Sequence, residues 1–213
     1  MCDVLSKVPT NMPIRPTIIK GLIDDWSALN EWSTQTRFAT KMGHHRINPN
    51  RTVFSYGSNV PVTMLEYSLH SENEHIIVMN DNKMIKEEKK LFVDVSHFVN
   101  VPKIFDHIRA SHILSYGGGT RGVDMMRHCE AWLGMISGSK LWYFSNSTNE
   151  GVHTDCYNPS KDKRIFNCTV SKGDVVYVPG YWWHATCNLK PYTIAFGTQC
   201  RGRDMLTTFK EEL

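Results

Sequence analysis

The chain lacks several features that would place it in a common class. Its six cysteines contain no C-x-x-C pair, so neither a zinc knuckle nor a dithiol redox centre is indicated. Its net charge of +3 at pH 7 is too small to argue for a nucleic-acid partner. The chain contains no run of about 18 apolar residues, the length needed to span a membrane, and residues 1–13 have no apolar core of signal-peptide length. We therefore expect an intracellular protein of cytoplasm or nucleus, with no membrane association and with reduced thiols.

What is present indicates one compact domain. The 213 residues are 41% apolar, which is enough to bury a full core. From Ile113 onward, short apolar runs follow one another between Gly, Pro and Asn breaks, which is typical of a double-sheet jelly roll. We predict a mainly β fold with flanking helices, in which an α+β portion occupies about 1–110 and the jelly-roll core about 111–200. Residues 204–212 are predicted to form a short terminal helix.

The N-terminal portion yields local predictions. Strands are expected near Thr17 to Lys20, near Val53 and from Ile76 to Met79. A helix is expected over about 34–40 with Ser33 as its N-cap, and a second helix from about Val62. The charged run 86–90 is predicted to be solvated, and the polar segment 145–162 a long loop.

The most informative stretch is Gly173 to His184, which reads GDVVYVPGYWWH. A Gly-Asp turn leads into a β-branched apolar strand, and a Pro-Gly break then redirects the chain before two tryptophans and a histidine. This places one imidazole at the end of a buried strand, where it is a candidate metal ligand. Further upstream, His128-Cys129-Glu130 is followed by Gly138-Ser139-Lys140-Leu141-Trp142.

Together with the glycine turn 116–119, these segments resemble the Jumonji C (JmjC) family of cupin-fold oxygenases. The family pattern is a His-x-Asp/Glu pair, a Gly-x-Lys-x-Trp strand and a Gly-Asp strand that ends in Pro-x-x-Trp-x-His. The resemblance extends to Pro16–Leu22 at the N-terminal side and to Val101–Phe105 before the barrel. It implies a double-stranded β-helix (a cupin barrel), with iron(II) and 2-oxoglutarate as cofactor and co-substrate.

On this resemblance, His128, Glu130 and His184 are the expected metal ligands. Iron oxygenases of this class use two histidines and one carboxylate on one face of the metal. Residues i and i+2 of a strand share a face, so His128 and Glu130 would both point into the barrel if no bulge intervenes.

A second register is open. Counting from the turn glycine Gly117, the family's first ligand position falls on Met126 and its second on His128. A thioether is a weak ligand for iron(II), so this register predicts a damaged site with Met126, His128 and His184 at the three positions. A slide of two residues keeps every strand side chain on its face, so strand periodicity does not choose between the two registers.

Lys140 stands where the family places the cation that binds the far carboxylate of 2-oxoglutarate. A lysine inside an apolar barrel needs an anion to offset its burial. Tyr116, Asn188 and Thr193 are the expected helpers in co-substrate binding.

The resemblance implies a small hydroxylase whose substrate is a protein, with modified RNA as the alternative substrate and lysine demethylation as a less favoured reaction. The competing hypothesis is a binding or scaffold protein that kept the barrel and lost the metal. Fold analogy alone does not decide between these functions.

Overall fold

The computed structural model describes residues 2–48, 61–70, 76–108, 110–119, 122–147 and 163–200. Thirteen strands and four α-helices lie in these ranges. The strands are β1 (Asp3–Leu5), β2 (Thr17–Ile19), β3 (Arg46–Ile47), β4 (Val62–Thr63), β5 (Ile76–Asn80), β6 (Ala110–Gly117), β7 (Gly122–Met126), β8 (Ala131–Ser137), β9 (Ser139–Ser145), β10 (Phe166–Ser171), β11 (Val175–Val178), β12 (Trp183–Asn188) and β13 (Thr193–Cys200). The helices are α1 (Ala28–Glu31), α2 (Gln35–Met42), α3 (Met64–His70) and α4 (Lys90–Val95).

Two facing sheets form a jelly roll, which confirms the predicted fold class. The larger sheet has the order β1-β2-β11-β8-β13-β6-β5, and the smaller has the order β10-β9-β12-β7. Every pair in these sheets is antiparallel except β1 with β2. The division at about residue 110 stays a prediction, although β6, the first long barrel strand, begins there.

Strand β11 shows that the larger sheet is apolar on both faces. Val175 and Tyr177 join the core between this sheet and the helices, whereas Val176 and Val178 join the core between the two sheets. Successive side chains of a strand point to opposite faces, so a sheet covered on both sides needs a continuous apolar run. The predicted buried strand before His184 has this composition because it lies in the middle layer.

Most local predictions hold, with small corrections. Strand β2 and strand β5 lie where they were expected. Helix α2 is capped by Thr34 rather than by Ser33, and the Thr34 hydroxyl accepts a hydrogen bond from the Arg37 N–H. The segment from Val62 first forms strand β4 and becomes helical at Met64. In the charged run, Glu88 is buried, which corrects its predicted solvation.

Other predictions fall outside the described residues: the strand near Val53, most of the loop 145–162 and the terminal helix 204–212. Within the described ranges, no helix has the length and apolar character needed to cross a membrane.

The prediction of reduced thiols is wrong for this structure. Cys2 is bonded to Cys168 and Cys129 to Cys200, and Cys187 is also disulfide-bonded. Spacing along the chain did not reveal these pairs, because their partners are separated by 166 and 71 residues. Disulfides persist in oxidising compartments, so the pairing counts against the cytoplasm and nucleus.

Gly138 forms the tight turn that joins β8 to β9, and its replacement should destabilise the fold. Its φ is +75°, and a Cβ there would lie 2.5 Å from the Tyr192 carbonyl oxygen and 2.6 Å from Thr193 Oγ1. Gly138→Ala should therefore lower the free energy of unfolding by more than about 2 kcal/mol, measured by urea denaturation. Gly173→Ala is the matched control, since Gly173 has φ +85° with nothing within 4 Å of the added methyl. Equal losses in the two variants would contradict the contribution of the clash.

Candidate metal and co-substrate site

The candidate site is a cavity of about 260 Å³ between the two sheets. Three strands of the smaller sheet and the link after β7 form one side of the cavity. Met126, His128, Lys140, His184 and Thr186 line it from that side. Ile113, Val123, Leu133 and Val178 provide apolar wall.

Two histidines of the cavity face each other. The Nε2 atoms of His128 and His184 are 3.1 Å apart. The other ring nitrogen of each histidine has its own partner: His128 Nδ1 donates to the Cys129 carbonyl at 2.6 Å, and His184 Nδ1 donates to the Trp182 carbonyl at 2.9 Å. A carbonyl oxygen only accepts, so in each neutral ring the proton is on Nδ1 and the Nε2 lone pair is free to bind. Two lone pairs therefore converge on one point.

Burial keeps both rings neutral. It lowers the pKa of His128, and it lowers the pKa of His184 to about 3, with the nearby His128 adding to the effect. Two neutral rings with lone pairs 3.1 Å apart repel each other unless a cation lies between them. This arrangement fits a divalent transition metal, for which neutral imidazole is a common ligand.

The turn 179–182 orients both imidazoles. The Tyr181 N–H donates to the His128 carbonyl at 2.8 Å, and the Trp182 carbonyl accepts from His184. Tyr181 takes a left-handed conformation with φ 66°, which is unusual for a residue other than glycine. Gly180 packs against the link that carries Cys129, and a Cβ there would make only ordinary van der Waals contact, 3.7 Å from the Cys129 Cα. The Tyr181–His128 hydrogen bond thus holds the two ligand-bearing segments together.

Glu130 does not join the two histidines, which corrects its predicted position. Its Oε1 accepts a hydrogen bond from the Tyr177 hydroxyl at 2.6 Å and lies 2.9 Å from His107 Nε2. Strand β7 ends at Met126 and β8 begins at Ala131, so residues 127–130 form a link outside any strand. The same-face rule for i and i+2 does not apply to such a link, which is why His128 and Glu130 point in different directions.

The structure instead brings together the residues of the second register. Met126 is the cross-strand partner of His184, and both line the cavity with His128. The two imidazoles thus fit a metal, whereas the carboxylate of the usual triad is absent from this cavity wall as described. A thioether occupies the neighbouring position.

Lys140 is buried in the same cavity. Its side chain is 1% exposed, and its ammonium donates to Asn188 Oδ1 at 2.6 Å. The acids that could have paired with it are engaged elsewhere: Asp174 binds Lys20 at 2.7 Å, and Glu130 binds Tyr177. Burial without a carboxylate partner among the described residues lowers the pKa of Lys140 to about 7. A cation in this setting favours an anionic ligand.

Of the three residues predicted to help Lys140, one contacts it and two lie outside the cavity. Asn188, the cross-strand neighbour of Lys140, contacts it directly. Tyr116 does not reach the cavity, because β6 directs Ile113 and Ser115 inward and Tyr116 to the other face, where it donates to Ser68 Oγ. Thr193 is also outside the cavity, and its hydroxyl donates to the Lys190 carbonyl at 3.3 Å.

Several polar residues of the cavity were missed by sequence reasoning. Thr186 lies two residues after His184, so strand periodicity could have found it. Ser115 and Thr198 come from β6 and β13, and no motif marks them.

Comparison with known proteins identifies distant relatives of this chain. No model of a protein family matches the chain. The chain is 26% identical over 198 residues to JmjC domain-containing protein 8 of Homo sapiens, covering 83% of this chain and 72% of that protein. It is 25% identical over 227 residues to the bifunctional arginine demethylase and lysyl-hydroxylase psr-1 of Caenorhabditis elegans, covering 86% of this chain and 54% of that protein. The arginine-specific demethylase JMJ22 of Arabidopsis thaliana is 23% identical over 213 residues, 84% of this chain and 40% of its own length.

Proposed function

We propose that this chain is an iron(II)- and 2-oxoglutarate-dependent dioxygenase that hydroxylates a protein. Its distant relatives in the JmjC family support an oxygenase of this general type. The observation that carries the proposal is the convergence of three groups on one cavity. Two Nε2 lone pairs meet at 3.1 Å, and one buried lysine without a carboxylate partner among the described residues lines the same walls.

The roles of the residues follow from their positions. His128 and His184 would hold the metal, and Lys140 would bind the far carboxylate of 2-oxoglutarate. A bound iron supplies the activation of oxygen, which is coupled to the decarboxylation of 2-oxoglutarate. The chain orients these groups: the two backbone carbonyls fix the histidine tautomers, and Asn188 fixes the lysine. The apolar walls exclude water from the reacting atoms.

The size of the cavity favours a protein substrate over RNA. At about 260 Å³, it lies below the roughly 300–1,000 Å³ of pockets that enclose drug-sized ligands. A small dicarboxylate and one amino-acid side chain are a better match than a dicarboxylate and a nucleoside. The net charge of +3 also argues against a phosphate backbone as the main contact.

Two observations favour a second candidate, a binding or scaffold protein with a degenerate site. The Glu130 carboxylate is occupied by Tyr177 and His107, and the position opposite His184 holds the thioether of Met126. A site to which the described residues contribute two protein ligands can bind a metal weakly while performing no oxidation.

A turnover assay separates the two candidates. Protein loaded with iron(II) in the absence of oxygen is then mixed with oxygen and 2-oxoglutarate. The succinate formed is measured for wild type and for Glu130→Gln. The dioxygenase hypothesis predicts succinate that depends on iron(II), with Glu130→Gln close to wild type because its carboxylate lies outside the cavity. Absence of succinate from a protein that binds both iron(II) and 2-oxoglutarate would count against the dioxygenase hypothesis and favour the binding-protein alternative. Loss of iron from Glu130→Gln alone would restore Glu130 as a ligand.

A further inference from the structure

A second cluster of ligand-type side chains lies in the helical layer. His44 and His45 follow helix α2, and Asp94 lies on helix α4. None of the three lines the cavity between the sheets. Within the described residues, these three form the one group of at least three histidine, cysteine, aspartate or glutamate side chains whose ligand atoms lie within 4.8 Å of one another.

The distances are close to those of a metal site. Asp94 Oδ2 is 2.9 Å from His45 Nε2 and 3.7 Å from His44 Nε2, and the two imidazole centroids are 4.1 Å apart. In a tetrahedral zinc site with bonds of about 2.1 Å, ligand atoms are separated by roughly 3.4 Å. The two carboxylate–imidazole distances lie on either side of this value, so small rotations of the side chains would complete the geometry.

The backbone holds this cluster in place. The His45 N–H donates to the Met42 carbonyl at 3.1 Å, and the His45 carbonyl accepts from the Met64 N–H at 2.8 Å. Asp94 is fixed by the buried residues on either side of it in α4, namely Phe92 and Val95. Both segments are therefore ordered before any ion binds, which reduces the entropic cost of binding.

The surroundings of the cluster suit a cation. The side chain of His45 is 7% exposed, and its Nε2 atom already lies against the Asp94 carboxylate. The Asp94 carboxylate supplies the negative charge, and its side chain is 43% exposed, which leaves an open side for a water ligand and for entry of the ion.

We propose that His44, His45 and Asp94 form a second metal site, which binds one zinc ion and is separate from the cavity. Two imidazoles favour zinc over magnesium or calcium, which prefer oxygen ligands only. Because Asp94 lies 49 residues from His45 in sequence, the ion cross-links α4 to the segment between α2 and β3. The site has a structural role in this helical layer, and it does not rest on the proposed oxygenase activity.

The test counts zinc ions by equilibrium dialysis and elemental analysis. His44→Ala is the main variant, since its side chain is 65% exposed and its removal leaves the core intact. Asp94→Asn is the second variant, and it keeps the size of the side chain. His97→Ala, an exposed histidine just beyond α4, is the matched control.

We expect wild type and His97→Ala to bind one more zinc per chain than His44→Ala and Asp94→Asn. Zinc should also raise the thermal midpoint of the first two proteins more than that of the other two. Equal zinc counts in all four proteins would overturn the proposal. His184→Ala should leave the zinc ion at the second site in place. Any zinc that this variant loses therefore comes from the cavity between the sheets.

Discussion

Lys140→Met should weaken the binding of 2-oxoglutarate by about tenfold or more while leaving the folded protein at least as stable. Loss of a buried ionic contact costs on the order of 2–5 kcal/mol, and 1.4 kcal/mol is a tenfold change in affinity. Stability is expected to hold because methionine retains the apolar stem and removes a charge that has no carboxylate partner among the described residues. Calorimetric titration of 2-oxoglutarate and urea denaturation measure the two effects.

The matched control for this variant is Lys83→Met. Lys83 also lines the cavity, but its side chain is exposed, so the change removes the same charge from the rim. Its affinity for 2-oxoglutarate should stay close to that of wild type. Equal affinities of wild type and Lys140→Met would show that this lysine is not the anchor.

The same lysine predicts a pH dependence. Burial lowers its pKa to about 7, and only the ammonium form attracts a carboxylate, so affinity for 2-oxoglutarate should fall as pH rises above about 7. In the absence of ligand, the unfolded chain holds this proton up to the ordinary lysine pKa of about 10.4 and so binds more protons than the folded protein. This group therefore makes stability increase with pH between about 7 and 10, and Lys140→Met should lack that increase.

His184→Ala should remove one equivalent of bound iron(II) or manganese(II). The variant deletes one of two converging Nε2 donors, so we expect metal affinity at the cavity to fall by at least about 100-fold, more than the loss typical of a changed outer partner. Metal per chain is measured by elemental analysis of protein loaded without oxygen.

His107→Ala is the control for the metal prediction. Its imidazole contacts Glu130 outside the cavity, so the metal count should not change. A fully loaded His184→Ala protein would contradict the assignment of the histidine pair. Metal loss in His107→Ala as well would indicate that Glu130 takes part in the site.

The barrel and part of its site were predictable from the sequence, because they depend on local order. The GDVVYVPGYWWH segment predicts a buried strand, a break and an inward histidine, and the structure has β11, the turn and His184 in that order. Lys140 likewise lies on a strand that keeps its period of two, and Asn188 lies opposite it. Periodicity is reliable where the backbone is a continuous strand.

Tertiary structure decided the rest. The direction of Glu130 depends on a link between strands, where no period applies, and on the Tyr177 hydroxyl that reaches it from another strand. The disulfides, and the meeting of His44, His45 and Asp94, join residues that are far apart in the chain. The sequence by itself thus determined which side chains its strands could direct inward. Only the packing of the sheets and helices decided which of them meet, because contact between distant segments is set by the whole fold.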